Sequence, residues 1–252
     1  DSAAGQKREL NRCTIERISG LTSRIFKVAL EMGIVEDTPF KKTILRIRAH
    51  RGGHHKALPD AEVSRIKREI PALRGERQRL YMALLVYTGM RREEVLGLGW
   101  ENIHLEEGYG EVKRVVVYPN NGRAVVREGA KTEASERTFL IPDALREILL
   151  PHRREHGYLI HGETEDGPAS YSTLQRTYYA AFKTLGIYRK FNNHDWRATF
   201  GTQLKEQGMS SALVADLLGH SDTRMVETVY ARKRQEGILK HRQEVESLNA
   251  FR

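Results

Sequence analysis

Four short stretches of this sequence place reactive side-chain types where they could act together. The first, Thr88 to Leu96, reads TGMRREEVL. Gly89 lets the backbone turn tightly, so Arg91 projects from the start of a helix rather than from its exposed middle. The second is His194-Asp195-Trp196-Arg197; a spacing of three on a helix puts His194 and Arg197 on one face, within reach of a single ligand. In the third, Leu217-Leu218-Gly219-His220, a glycine follows an apolar helix end and sets His220 at a helix terminus. Tyr230, ten residues further on, falls on the next short helix. The fourth is Lys131 in GAKT, between two predicted strands and followed by Ser135 and Arg137. Together these bring permanent positive charge, imidazoles that exchange protons near neutral pH, and a phenol. Each stretch also has a plain alternative: surface arginines on an amphipathic helix, a structural His/Arg pair, a solvated hairpin lysine.

The elements that must position these residues can be read from periodicity. Ile18, Leu21, Ile25, Val28 and Met32 recur at steps of three and four, one apolar stripe on a long helix that needs a partner to bury it. Because the sequence starts at Asp1, the companions of that helix are expected to have been cut away. From Lys41 to Lys56 the chain has six basic residues, three histidines and no acid, and contains Gly52-Gly53. That composition predicts a basic linker suited to lying along a phosphate backbone, with a solvated charged loop as the alternative. Asp60 is expected to cap a short helix running to about Ile70, and Arg77 to Tyr87 to form an apolar helix. Strands are expected at Val112 to Tyr118, Arg123 to Arg127 and Arg137 to Ile141, with Asn120-Asn121-Gly122 as a hairpin turn. From Pro142 onward the pattern is helical, broken near Gly162 to Gly167, Gly186, Gly208 and Gly219. The expected fold is therefore α+β and mainly α-helical, with a small antiparallel sheet.

Composition narrows the function. The 252 residues carry 42 Lys+Arg against 33 Asp+Glu, a formal charge of +9, which makes a polyanion a plausible partner. The longest apolar run, Tyr81 to Tyr87, is far short of the roughly 18–20 residues that cross a bilayer, so no membrane association is expected. No charged-then-apolar leader opens the chain, and with Cys13 as its one cysteine a cytoplasmic setting is expected. His54-His55 has neither a cysteine nor a matching histidine cluster beside it, so no metal site is expected. Tyr81, Tyr87, Tyr178 and Tyr179 read as packing or interface residues, Trp100 as a core anchor, and Glu94 and Asp195 either as partners of the arginines or as supports of their own helices.

In order and combination, the four stretches resemble the tyrosine recombinase (phage integrase) family. Arg91 stands in T-G-x-R-x-x-E, Lys131 on a β-hairpin, His194 and Arg197 in H-x-x-R, His220 after L-G, and Tyr230 downstream. The likeness spans about Leu58 to Arg232, with FNNHDWRATF (191–200) and LLGHSDTRMVETVY (217–230) its most specific parts. Asn102 stands where the family often has Asp, and Tyr230 follows His220 by ten residues where many members use nine. The resemblance implies three segments: 1–40 as the end of a helical core-binding domain, 41–57 as a basic interdomain linker, and 58–252 as the catalytic domain with a C-terminal docking helix.

What the resemblance implies chemically is phosphoryl transfer on DNA. Arg91 and Arg197 would hold the non-bridging oxygens of a scissile phosphate by bidentate hydrogen bonds. Tyr230 would attack phosphorus and form a 3′-phosphotyrosyl link that conserves the bond energy. His194 would assist as acid or base, His220 would bond the phosphate, and Lys131 would protonate the departing 5′-oxygen. No metal, ATP or other cofactor is implied. Double-stranded DNA is the implied partner, with Lys41, Lys42, Arg46, Arg48, Arg51 and Lys56 along its backbone. The resemblance further implies a tetramer on DNA, joined through the C-terminal segment, and an accessory directionality factor. The expected activity is site-specific recombination for a phage or integrative element. The alternatives are type IB topoisomerase-like relaxation of supercoils, and a catalytically inactive DNA-binding protein.

Overall fold

The computed structural model describes residues 10, 12–40, 57–119, 124–128, 137–188 and 191–219. The basic run at 41–56, the turn at 120–123, Lys131, His220, Tyr230 and the C-terminal segment lie outside the described residues, as does the His54-His55 pair. The chain divides into two compact units, Asp1–His54 and His55–Arg252.

In the first unit, α1 spans Arg12–Glu31. The stripe read from the sequence is present, but Ile18, Leu21, Ile25, Val28 and Met32 are each more than half exposed, and no residue of α1 is buried. Gly33, at φ 69°, turns the chain after the helix, and Phe26 meets Phe40 with ring centroids 5.7 Å apart.

The second unit is built around one helix. After α2 (Asp60–Glu69) and a 3-10 turn at Ile70–Ala72, α3 (Glu76–Thr88) runs through the core. Seven consecutive residues, Leu80 to Val86, are buried, so α3 is apolar all round rather than on one face, as a central helix must be. It packs against α5 (Asp143–Leu149), α6 (Tyr171–Thr184) and α7 (Asn193–Glu206). Each fully buried leucine there contributes about 1.5–3 kcal/mol from the removal of its side chain from water. The cap expected at Asp60 is not made: Pro59 is the N-cap of α2 without a side-chain bond, and Asp60 Oδ1 instead accepts from Gln203 Nε2 at 3.0 Å.

The strands differ from expectation in number and pairing. Beyond the predicted set there are β1 (Ile103–His104) and β2 (Tyr109–Val112), while the long strand expected at 112–118 is interrupted at Lys113 before β3 (Arg114–Val117). β3 pairs antiparallel with β4 (Val125–Glu128), and β2 with β5 (Arg137–Leu140). Arg114 faces Glu128 and Val112 faces Arg137. β2 and β3 therefore receive β5 and β4 in succession, and the two strands that flank residues 129–136 do not pair with each other. The short β1 was missed because two residues carry no alternation to detect.

Helix α4 (Arg92–Gly97) lies on β3, and α8 (Ser211–Leu218) packs on α7 and β5. Trp100 is buried in the core, as are Tyr81 and Tyr178, whereas Tyr87 is half-buried and Tyr179 exposed. Among the described residues no helix is long and apolar enough to cross a membrane, and no three His, Cys, Asp or Glu come together as they would around a metal ion.

Candidate functional site

The turn between α3 and α4 sets the first arginine. Gly89 ends α3 in the left-handed region at φ 61°, and a Cβ there would stand 2.9 Å from Phe200 Cδ1, so both conformation and packing require glycine. The chain then leaves in extended form through Arg91 (φ −70°, ψ 151°), the N-cap residue of α4. An arginine has no acceptor with which to cap, and the exposed helix donor is met from the other side: Arg91 N donates to Glu94 Oε2 at 2.8 Å. The Arg91 Nη1 donates to Glu94 Oε1 at 2.7 Å, and its Nη2 to the Gly219 carbonyl at 3.2 Å.

The second arginine comes from α7. Asn192 caps this helix, accepting from His194 N at 2.8 Å and Asp195 N at 3.3 Å, while Asp195 Oδ2 accepts from Asn192 N at 2.7 Å. This capping box fixes the first turn, so His194 stands exposed at its start and Arg197 points inward, only 6% exposed. Arg197 Nη1 donates to the Gly89 carbonyl at 3.1 Å, and its Nη2 to the Leu218 carbonyl. Arg91 and Arg197, from stretches 106 residues apart in sequence, thus reach consecutive carbonyls at the end of α8. Those carbonyls are left without helical partners, and cations at a helix C-terminus are electrostatically favoured. Gly219, at φ 63°, turns the chain there, and the next residue is His220.

Glu94 and Asp195, both open from sequence alone, separate cleanly. Asp195 serves the α7 cap, while Glu94 serves Arg91 and also accepts from Arg137 Nη2 at 2.7 Å, with both side chains 5% exposed. Burial alone would raise the Glu94 carboxyl, but Arg137, Arg197 and Arg91 outweigh it and hold the group below its ordinary value. Burial, followed by the repulsion of Arg91 and Arg137, lowers Arg197 to about 9 against the opposing attraction of Glu94. Arg137 is lowered for the same reasons. Three guanidiniums share one carboxylate, so even the paired cation is destabilised. A site of this kind gains from an incoming anion.

Arg92, next to Arg91, is otherwise engaged: its guanidinium lies 4.4 Å from the Tyr171 ring centre and Nη2 bonds Glu93 at 2.6 Å. A cavity of about 240 Å³ beside it is lined by Tyr81, Arg91, Arg92, Tyr171, Asn193 and His194, among others, so Arg91 and His194 open onto one space. Tyr81 Oη accepts from Asn193 Nδ2, and Tyr178 Oη donates to the Phe191 carbonyl at 3.1 Å, which leaves both phenols in packing roles. The described residues therefore bring together Arg91, Arg197 and the turn before His220, with His194 at the mouth. Sequence reasoning gave no role to Arg137; its only signal was an arginine at the start of a strand.

Residues 56–236 match the phage integrase family. The tyrosine recombinase XerC-like protein of Caldanaerobacter subterraneus is 28% identical over 257 residues, covering 86% of this chain and 61% of that protein. The prophage integrase IntR of Escherichia coli K12 is 26% identical over 260 residues, covering 91% of this chain and 60% of its own length. The chain thus spans about three fifths of the length of these two relatives. Among solved structures, the Tn1549 transposon integrase in complex with a circular intermediate DNA superposes with a TM-score of 0.73 at 16% identity, covering 92% of this chain and 81% of that one. A lambda integrase dimer bound to a core site gives 0.53 at 21% identity, covering 83% and 70%. The first of these shares the mainly α, α+β architecture described above, and a family match over more than half the sequence decides the matter: the chain is a member of the phage integrase family of tyrosine recombinases.

Proposed function

We propose that this chain is the catalytic part of a site-specific DNA recombinase that cuts and rejoins DNA through a 3′-phosphotyrosyl link to Tyr230, in the service of a phage or integrative element. The observation that carries the reading is the convergence of Arg91 and Arg197 on the Leu218 and Gly219 carbonyls, one residue before His220. Two guanidiniums so placed can hold the non-bridging oxygens of one phosphodiester. Tyr230 Oη attacks phosphorus and the bond from phosphorus to the 5′-oxygen breaks. The phenol proton passes to His194, and Lys131 protonates the leaving 5′-oxygen. Attack by a 5′-hydroxyl reverses both transfers and reseals a strand. His220 bonds the phosphate during these steps. The charge that stabilises the transition state comes from arginine and lysine, and the mechanism asks for no metal or ATP.

Double-stranded DNA is the partner, as in the complexes solved for the Tn1549 and lambda integrases. Residues 1–40 act as the end of a core-binding domain, and 58–252 as the catalytic domain. Between them, 41–57 forms a linker whose Lys41, Lys42, Arg46, Arg48, Arg51 and Lys56 run along the phosphate backbone. The working form is a tetramer on DNA, with an accessory factor setting direction.

The test uses a pool of nicked duplexes with a randomised core, so that cleavage releases a short strand and traps the adduct. In EDTA, the wild-type chain is expected to give a protein–DNA adduct stable to detergent, and Tyr230→Phe none. An adduct that persists in Tyr230→Phe removes Tyr230 from the mechanism, and loss of the wild-type adduct in EDTA removes metal independence.

A further inference from the structure

Arg137 has a place in the site that the roles above do not use. It opens β5 opposite Val112 and its side chain is 5% exposed. Its stem runs under the turn before His220: a Cβ on Gly219 would stand 2.7 Å from Arg137 Cδ and 2.8 Å from Nε. One end of the guanidinium, Nη2, donates to Glu94 Oε2, while the buried Nε and Nη1 have no hydrogen-bond partner among the described residues. A buried donor without an acceptor is destabilising, so an arginine is a costly way merely to fill this space.

The chemistry of Glu94 gives the reason for that cost. Its Oε1 takes Arg91 Nη1, and its Oε2 takes both Arg91 N and Arg137 Nη2. The carboxylate is needed to fix the start of α4, yet left alone it would cancel one of the two arginines meant for an anion. With Arg137 present, the four groups retain two positive charges. A phosphodiester carries one negative charge, and adding a phenolate oxygen to it creates two. The cluster therefore matches the transition state better than the bound substrate, the condition for speeding a chemical step.

We propose that Arg137 is a positioning residue of the phosphate site: by pairing with Glu94 it keeps the single carboxylate from neutralising Arg91 and Arg197. The proposal rests on the recombinase reading, since it concerns the rate at which a phosphodiester is attacked.

The test measures single-turnover adduct formation on the nicked randomised pool, DNA affinity by fluorescence anisotropy on the same pool, and melting temperature. Arg137→Gln should slow adduct formation roughly 10- to 100-fold while weakening binding less than about threefold. Arg137→Lys, which keeps the charge, should stay within about fivefold of wild type. The decisive variant is Arg137→Gln combined with Glu94→Gln. Removing the uncompensated carboxylate restores two net charges, so the double variant should form adduct about tenfold faster than Arg137→Gln alone. A purely structural role predicts the opposite, a further loss. If Arg137→Gln does not fold, the double variant is compared with wild type: a rate within about tenfold supports the proposal, and a loss beyond 100-fold overturns it. An Arg137→Gln rate equal to wild type overturns it too. Absence of any wild-type adduct sinks the recombinase reading, and this proposal with it.

Discussion

Arg197 donates to the carbonyl of Gly89 at 3.1 Å, so the residue that ends α3 is held by a side chain buried in α7. The contact buries a third cation close to Arg91 and Arg137, and burial first, then their repulsion, push Arg197 down to about 9. At neutral pH it still carries its charge, at a cost that a bound anion would relieve. Inorganic phosphate in the low millimolar range should therefore raise the melting temperature more than chloride at equal ionic strength. At ten times its dissociation constant, phosphate would add about 1.4 kcal/mol. Differential scanning fluorimetry checks this, and a gain that survives intact in Arg197→Gln would place phosphate elsewhere.

Glu94 makes a second prediction, on pH. Its carboxyl is held below the ordinary value, so the unfolded chain takes up the proton first as pH falls. The stability it supplies is fully present above about pH 4.5, the ordinary value, and is lost as pH falls through the folded-state value. The slope of unfolding free energy against pH below 4.5 should be steeper in wild type than in Glu94→Gln by up to about 1.4 kcal/mol per pH unit. Urea titrations at several pH values measure it, and parallel slopes would rule it out.

Gly219 and Gly208 offer a matched pair. Both have positive φ, 63° and 86°, but a Cβ on Gly208 meets nothing within 4 Å, whereas one on Gly219 meets the stem of Arg137. Gly208→Ala should cost about 1–2 kcal/mol of backbone strain. Gly219→Ala should cost more and also slow adduct formation, because Arg137 must shift. Equal effects on stability and no change in rate would refute the distinction.

The α7 cap can be tested alone. Asn192→Ala removes the acceptor for His194 N and Asp195 N and should cost about 0.5–2 kcal/mol. Asn192→Ser or Asn192→Asp should recover most of that loss in thermal or chemical unfolding.

The C-terminal segment is the place to look for assembly. Deleting Gly237–Arg252 should weaken the multimeric complex on DNA more than the binding of one protomer, as separated on native gels. Unchanged assembly would remove the segment from that role.

How much of this was legible beforehand depends on what each residue answers to. Helix α3 was readable as an unbroken apolar run, as a central helix must be. Helices α6 and α7 were readable as helical pattern between the breaks at Gly162 to Gly167, Gly186 and Gly208, and Gly89 and Gly219 because chain reversal demands positive φ. Arg91 and Arg197 were readable from their motifs, and their convergence then appears in the folded unit. Arg137 was not, because its position depends on strand register, and register is set by partners far away in sequence. The cap at Asp60 failed for a related reason: its carboxylate found Gln203, 143 residues away, in place of its own helix. The fate of Asp195 was locally written, three residues from Asn192; that of Glu94 was only half so, since Arg91 is local and Arg137 is not.

The pairing of β4 with β3 and of β5 with β2 has a consequence for how the chain can vary. The rung joining Arg114 to Glu128 and the rung joining Val112 to Arg137 are separated in sequence by Lys113 alone on one side and by residues 129–136 on the other. Each ladder takes its register from its own partner strand, so an insertion or deletion within 129–136 leaves both ladders in register. The length of the segment that carries Lys131 can thus change in sequence while Arg137 stays fixed against Glu94.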